Sequence, residues 1–254
     1  LDPGEEYHLY CTVVCECDDE PGHALLPFPN AVRENNAART ASQRSRCIVD
    51  TSNPLVNLWL DRSVSDLSML TTMLPTGPYP FAGVPWYSTT FGRDGIITAL
   101  EFLWVDHSLA RGVLTFLAET QATEVDRQND AEPGKILHEA RASEMAHTGE
   151  IPFGRYYGTV DATPLFLVLA AAYWRRTGDS DLLRALWPNL LAALRWIDTF
   201  GDIDGDGFVE YARKSKDGLV QQGWKDSYDS VFHADGAMAE APIALCEVQG
   251  YVYR

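Results

Sequence analysis

The sequence predicts a mainly α-helical fold, an α/α toroid with an inner and an outer ring of helices. Three observations predict it. Residues 165–174, LFLVLAAAYW, are apolar on all sides, as a helix buried in an inner ring is. Residues 182–197 instead carry Leu182, Leu183, Leu186, Leu190, Leu194 and Ile197 on one stripe, with Arg184, Asn189 and Arg195 between them, which describes a helix with one face in water. The stretches between predicted helices, 77–91, 123–160 and 201–235, are longer than the connections of a plain helical bundle. Long loops on a rigid scaffold are where binding and catalysis tend to sit.

The elements follow in order. Residues 5–17, EEYHLYCTVVCEC, have the β-branched and aromatic content of a strand. One strand is not stable alone, so this stretch reads as the end of a β-domain, and residues 1–29 as its remnant plus a linker. Residues 30–254 read as the helical part. The first helix occupies 31–49, which lacks Gly and Pro. Asn53-Pro54 caps and starts the second, with Leu55, Leu58, Trp59, Val64, Leu67 and Leu70 near helical spacing. PTGPYPFAGVP reads as a link. A third helix covers IITALEFLWV, a fourth about 109–122, a fifth about 162–176 and a sixth about 180–200, which Pro188 is expected to kink or divide. A seventh covers about 237–254 and reaches the last residue without a C-cap. The chain also begins at Leu1 without an initiator Met, so it reads as cut.

Composition narrows the function classes. The chain has 254 residues, enough for one large or two small domains with a sizeable core. With 20 Lys plus Arg against 36 Asp plus Glu, the net charge of −16 argues against nucleic acid or an anionic membrane as partner. It is compatible with neutral or cationic ligands. No 18-residue apolar run suggests a membrane span. The odd count of 5 cysteines, without regular spacing, argues against a disulfide framework and for a reducing, cytoplasmic setting. Cys11, Cys15 and Cys17 would share one strand face but have no fourth ligand nearby, so they read as buried small apolar residues and no metal is expected. No cofactor is implied.

Several short motifs carry polar groups in places that suggest chemistry. In FGRDG, Arg93 and Asp94 sit just before an apolar helix; Asp94 reads as a helix cap, or with Arg93 as a fork gripping two sugar hydroxyls. Trp86, Tyr87 and Phe91 just upstream would supply a stacking face. KILHEAR holds His138, Glu139 and Arg141. A HExxH zinc motif would need a second His where Ala142 stands, which leaves a hydrogen-bond network or a hydroxyl-binding site. Asp161 reads as a cap of the fifth helix, with Pro164 in its first turn, or as a substrate contact. DIDGDGFVE starts like an EF-hand, with Asp202, Asp204, Asp206 and Gly207 in place, but the twelfth position is Arg213, so a tight acidic turn into a short strand, FVEYA, is preferred. In QQGWKDSYDS, an extended chain points Trp224 and Asp226 one way and Lys225 the other. An indole beside a carboxyl disfavours its charged form, the condition for a general acid. A salt-bridged structural Asp is the competing reading.

Taken together, PWYSTTFGRDG, GKILHEAR, YYGTVDATPLFLVLAAAY, DIDGDGFVEY, QGWKDS and PIALCEVQGYVY occur in this order over residues 80–254. The pattern resembles the bacterial amylo-α-1,6-glucosidase, glycogen-debranching-like glycosidases, relatives of glucoamylase, trehalase and mannosyl-oligosaccharide glucosidase. The resemblance implies an (α/α)6 barrel, of which this chain holds about seven of the usual twelve helices. It implies an inverting, exo-acting hydrolase of α-glucosides, with an oligosaccharide or α-glucan as substrate. Asp226 resembles the general acid, and Arg93 and Asp94 the pair holding the non-reducing sugar. Trp86, Phe91, His138, Tyr157, Trp224 and Lys225 would line the pocket. Glu247 and Gln249, on the last helix, would face the site, or Glu247 would pair with a basic side chain. The general base would come from the second half of the barrel, outside this chain. An open half-barrel would expose apolar surface through which copies could self-associate. A carbohydrate-binding module without turnover, and an α,α-trehalase or other α-glycosidase, remain as alternatives.

Overall fold

The structure, a computed structural model, describes residues 4–13, 26–44, 47–150 and 152–253. The chain divides into two compact units, Leu1–Ile48 and Val49–Arg254.

In the first unit, helix α1 runs Phe28–Arg44. The strand expected over 5–17 does not form in its described part: residues 5–13 have no regular secondary structure and are exposed. A strand is stable only when a neighbouring strand takes up its backbone hydrogen bonds, and strand-forming composition alone does not supply that neighbour. Cys11 is accordingly exposed instead of buried; residues 14–17, with Cys15 and Cys17, lie outside the described residues.

The second unit begins with α2 (Pro54–Leu70), started as the sequence suggests: Asn53 accepts the Leu55 N–H at 3.0 Å, and Pro54 occupies the first turn. None of the side chains of α2 is fully buried. The next segment is a hairpin where a link was expected. Strands β1 (Thr71–Leu74) and β2 (Gly77–Pro80) pair antiparallel, with Thr71 opposite Pro80 and Leu74 opposite Gly77. Pro78 and Pro80 hid it, because proline argues against a central strand; in a two-stranded ribbon both strands are edges, where proline is tolerated.

Helices α3 (Gly92–Phe102), α4 (Ser108–Glu119), α6 (Ala162–Thr177) and α7 (Ser180–Trp196) form the body, with the one-turn α5 (Glu144–His147) inside the long 123–160 loop. A short pair, β3 (Thr90–Phe91) and β4 (Glu139–Ala140), joins that loop to the start of α3. Helix α6 is the centre, packing on α3, α4, α7 and the C-terminal α8 (Cys246–Tyr253). Ile96, Leu114, Leu117, Ile136, Phe166 and Leu169 are fully buried in the common core. The fold is mainly helical, its helices packed in an α-solenoid- or toroid-like arrangement compatible with a six-hairpin glycosidase-like architecture. Among the described residues no helix is long and apolar enough to cross a membrane.

The predicted helices differ from the observed ones at several points. The first half of α6 is buried as expected, but Trp174 near its end is 50% exposed. On α7, Leu182, Leu186 and Leu190 are buried while Leu194 is half exposed. The helix continues through Pro188 undivided and ends in a π-helical turn, Ile197–Gly201. The last helix starts at Cys246, nine residues later than expected. Pro242 interrupts the preceding stretch, and Ile243 pairs with Tyr211 in an isolated bridge. That bridge is all that forms of the strand expected at FVEYA.

The β1–β2 hairpin lies against the helices at two close contacts. Tyr79, fully buried, donates its hydroxyl to the Phe91 carbonyl at 2.8 Å, just before α3. A Cβ placed on Gly95 would come within 2.6 Å of that hydroxyl. On α4, a Cβ on Gly112 would meet the Pro78 carbonyl oxygen at 2.2 Å, a backbone atom with little freedom to yield. Gly112→Ala is therefore expected to destabilise the protein by about 1–3 kcal/mol, as overpacking does. Gly250→Ala on α8, where an added Cβ would meet none of the described atoms outside the helix's own turns, should be neutral or slightly stabilising. Thermal or urea unfolding of the two variants checks this; equal midpoints would show that the hairpin is not seated on α4.

Candidate functional site

A cleft of about 520 Å³ opens where the hairpin, α2, α3 and the 221–230 segment meet. Phe91, Arg93, Asp94, Trp224 and Asp226 line it, all of them singled out by the sequence. Leu67, Leu70, Phe81, Tyr87, Ile97 and Thr98 line it too. The last two sit one turn beyond Arg93 and Asp94, so helical spacing alone was a signal for them.

Arg93 is the hub. Its side chain is 10% exposed, and its guanidinium reaches three distant points. Nη1 donates to Asp161 Oδ2 at 3.2 Å and to the Gly223 carbonyl at 2.8 Å; Nη2 donates to Asp226 Oδ2 at 3.1 Å. Asp94 Oδ2 lies 4.0 Å from Nε. Burial opposes the charge on Arg93, but Asp161, Asp94 and Asp226 outweigh it and raise its pKa. Asp94 and Asp226 are 41% and 44% exposed and face the cleft, whereas Asp161 is at 2%. Two carboxylates against one guanidinium give the cleft wall a negative balance suited to neutral polyols or cations.

A second set of bonds holds the Asp226 segment from below. Asp130 accepts from Lys214 N at 2.7 Å, Ser215 N at 2.8 Å, the Tyr156 hydroxyl at 2.8 Å and Gln222 Nε2 at 3.2 Å. The Gln222 carbonyl accepts from Val160 N at 2.9 Å. Glu132 accepts from Trp196 Nε1 at 2.7 Å and pairs with Lys214. The two long loops are thus stitched together immediately before Gly223.

The other sequence-predicted residues fall in several places. Lys225 does not point away from the indole; its Nζ lies over the Trp224 ring, 5.3 Å from the centroid, because the chain there is bent and a cation gains from the π face. Trp224 itself is 57% exposed. Trp86 is exposed and does not line the cleft, and its carbonyl accepts from Arg141 Nη1 at 3.2 Å. Arg141 also pairs with buried Glu139 at 2.6 Å and stands over the Phe91 ring at 5.9 Å. Burial raises the Glu139 carboxyl, and Arg141 pulls it the other way. Asp161 holds the cap position of α6 without making a cap bond, since its carboxylate also accepts from Thr159 Oγ1 at 2.5 Å. Asp94 lies in the first turn of α3, not at its cap, which is Phe91. Tyr157 donates to the Thr120 carbonyl at 2.6 Å, in the core. Gln249 bonds both the N–H and the carbonyl of Val209, at 2.9 and 2.6 Å. Half-buried Glu247 lies beside Cys246, whose thiol is 3.6 Å from its carboxylate.

In the acidic turn, Asp202, Asp204 and Glu210 bring carboxylate oxygens within 4.8 Å of one another. These oxygens already fold the turn: Asp202 accepts from Gly205 N at 2.7 Å and Gly207 N at 3.0 Å, and Glu210 from Ile203 N at 2.9 Å. Compared with known proteins, the chain matches no family model and no curated protein.

His138 is a buried histidine behind the cleft. It is 3% exposed, packs edge-on to Phe91 and Tyr156, and its Nδ1 has no partner among the described residues. Burial, with the nearby charges of Arg93, Arg141 and Lys135, pushes its pKa down to about 3. In the unfolded chain the ring takes its proton near pH 6.5, so between these values the unfolded state binds more protons and stability falls as pH falls. The slope from this one group is at most about 1.4 kcal/mol per pH unit. Urea midpoints of wild type and His138→Phe, measured from about pH 7 to about pH 5, are expected to show a smaller acid loss in the variant. Parallel losses would mean that His138 is protonated in the folded protein.

Proposed function

We propose that the cleft binds the terminal sugar of an α-linked glucoside, and that the protein is an inverting, exo-acting glycoside hydrolase releasing glucose, of the amylo-α-1,6-glucosidase type on an (α/α)6 barrel. The observation that carries the reading is the pairing of two half-exposed carboxylates, Asp94 and Asp226, across one buried guanidinium in an aromatic-walled cleft. A sugar presents just this mixture, apolar ring faces and a belt of hydroxyls. Tyr87, Phe91 and Trp224 meet the faces. Asp94 accepts hydroxyls, and Arg93 has N–H groups left beyond its three bonds to donate to them.

Asp226 is the proton donor in this reading. Its carboxyl gives a proton to the glycosidic oxygen as the bond to the anomeric carbon breaks, and water attacks that carbon from the opposite face. Inversion needs a second carboxylate about 6.5–9.5 Å from the acid to take the proton of that water; we assign this role to no residue of the chain. The Arg93–Asp226 contact favours a second reading, a carbohydrate-binding module without turnover, because a carboxylate held by a guanidinium accepts hydroxyls as it stands.

The deciding experiment incubates the natural protein with isomaltose, maltotriose, trehalose and limit dextrin, and follows the first anomer by proton NMR. β-Glucose appearing first is the expected result. Binding without release would establish the module instead. Asp226→Asn should cut turnover about 10²–10⁴-fold while sugar binding persists, since the amide keeps the shape and loses the acid. Near-normal turnover would make Asp226 structural. Asp94→Ala should weaken binding by about 1.5–3 kcal/mol, the worth of a charged hydrogen bond, read by calorimetry; unchanged affinity would remove Asp94 from the site.

A further inference from the structure

We infer that Asp161 is a positioning residue: it anchors Arg93 from behind, so that the same guanidinium fixes the Gly223–Asp226 segment over the cleft. The inference rests on the reading of Asp226 as the proton donor.

The first ground is what Asp161 does not do. It stands at the start of α6, where an Asp side chain ordinarily accepts a helix N–H and stabilises by about 1 kcal/mol. Here it makes no such bond. Its carboxylate turns sideways, to Thr159 Oγ1 at 2.5 Å and Arg93 Nη1 at 3.2 Å. Nor does it line the cleft, and its side chain is 2% exposed, so a sugar has no access to it. A carboxylate buried this deeply needs a charged partner, and Arg93 is that partner.

The second ground is the geometry of the guanidinium. Its planar fork has fixed donor directions, so holding one edge aims the others. Asp161 and Gly223 share Nη1, and Asp226 takes Nη2. Asp226 is the half-exposed member, at 44% against 2% for Asp161. Without the buried anion, Arg93 would follow its exposed partner toward water and release the Gly223 carbonyl. That carbonyl lies three residues before Asp226, and the bond to it spans 130 residues of sequence.

The test uses Asp161→Asn, which keeps the shape and the Thr159 contact and removes the charge. Hydrogen exchange, read by mass spectrometry on the whole protein, is expected to speed at least about 10-fold over residues 221–230 and to change little over Ala162–Thr177, because no cap bond is lost. Equal acceleration of α6, or of the whole second unit, would make Asp161 an ordinary structural residue and overturn the inference. No change over 221–230 would overturn it too. Arg93→Lys, which keeps the charge and loses the fork, is expected to release the same segment, and guards against an Asp161 variant that does not fold.

In turnover, Asp161→Asn is expected to lower kcat about 10–100-fold through misplacement of the acid, with KM changed less than about threefold. The opposite split, a raised KM with kcat kept, would make Asp161 a binding residue and overturn the positioning role. If the wild-type protein releases no glucose, the exchange experiment still decides whether the tether exists, and the loss falls on the enzymatic reading alone.

Discussion

The candidate site depends on keeping one guanidinium charged beneath a cleft. Burying an isolated charge is costly unless paired and hydrogen-bonded groups replace the lost water. Arg93 meets that demand by recruiting Asp161, the Gly223 carbonyl and Asp226, which come from two segments far away in sequence. The same need that keeps Arg93 buried therefore draws three pieces of chain to one point. The aromatic walls add stacking area around it, but the polar order of the cleft comes from this single group.

Around that point the long loops behave as part of the scaffold. Asp130 and Glu132 take up backbone and side-chain donors from both loops, and Tyr156 serves as donor to Asp130 and acceptor from Leu219 N at 2.7 Å. Such a network is costly if one member is missing and rigid when all are paired. Precision in the 221–226 segment is thus built from satisfied polar groups where a core would use apolar packing.

Much of the helical body was legible from local signals. Asn53-Pro54 announced α2, and the leucine spacing of 182–190 announced the buried face of α7, because caps and periodicity are properties of a few adjacent residues. The 5–13 segment misled, since strand-forming composition says nothing about whether a partner strand exists. The onset of α8 falls later than the apolar residues from 237 suggest, because Pro242 cannot continue a helix. At the site, FGRDG and GWKDS were each visible, but not their contact. The join between Arg93 and Asp226 spans 133 residues, and no local pattern encodes it. Lys225 was placed by strand alternation, a rule that lapses where the chain bends. The position of Asp161 suits a cap or a substrate contact equally, and only the fold reveals that its carboxylate is engaged with Arg93 and Thr159.

The seat of the hairpin on α3 has a consequence for how this sequence can drift. A side chain at position 95 has no room while Tyr79 is present. A smaller residue at 79 would make that room, yet it would strip the buried Phe91 carbonyl of the hydroxyl it accepts. Neither first step is open without harm, so a lineage reaches a different pair only through an intermediate that selection disfavours. Tyr79 and Gly95 are then inherited as one character, and the entry of the chain into the Arg93 helix is kept by a barrier to change at a distance from any ligand.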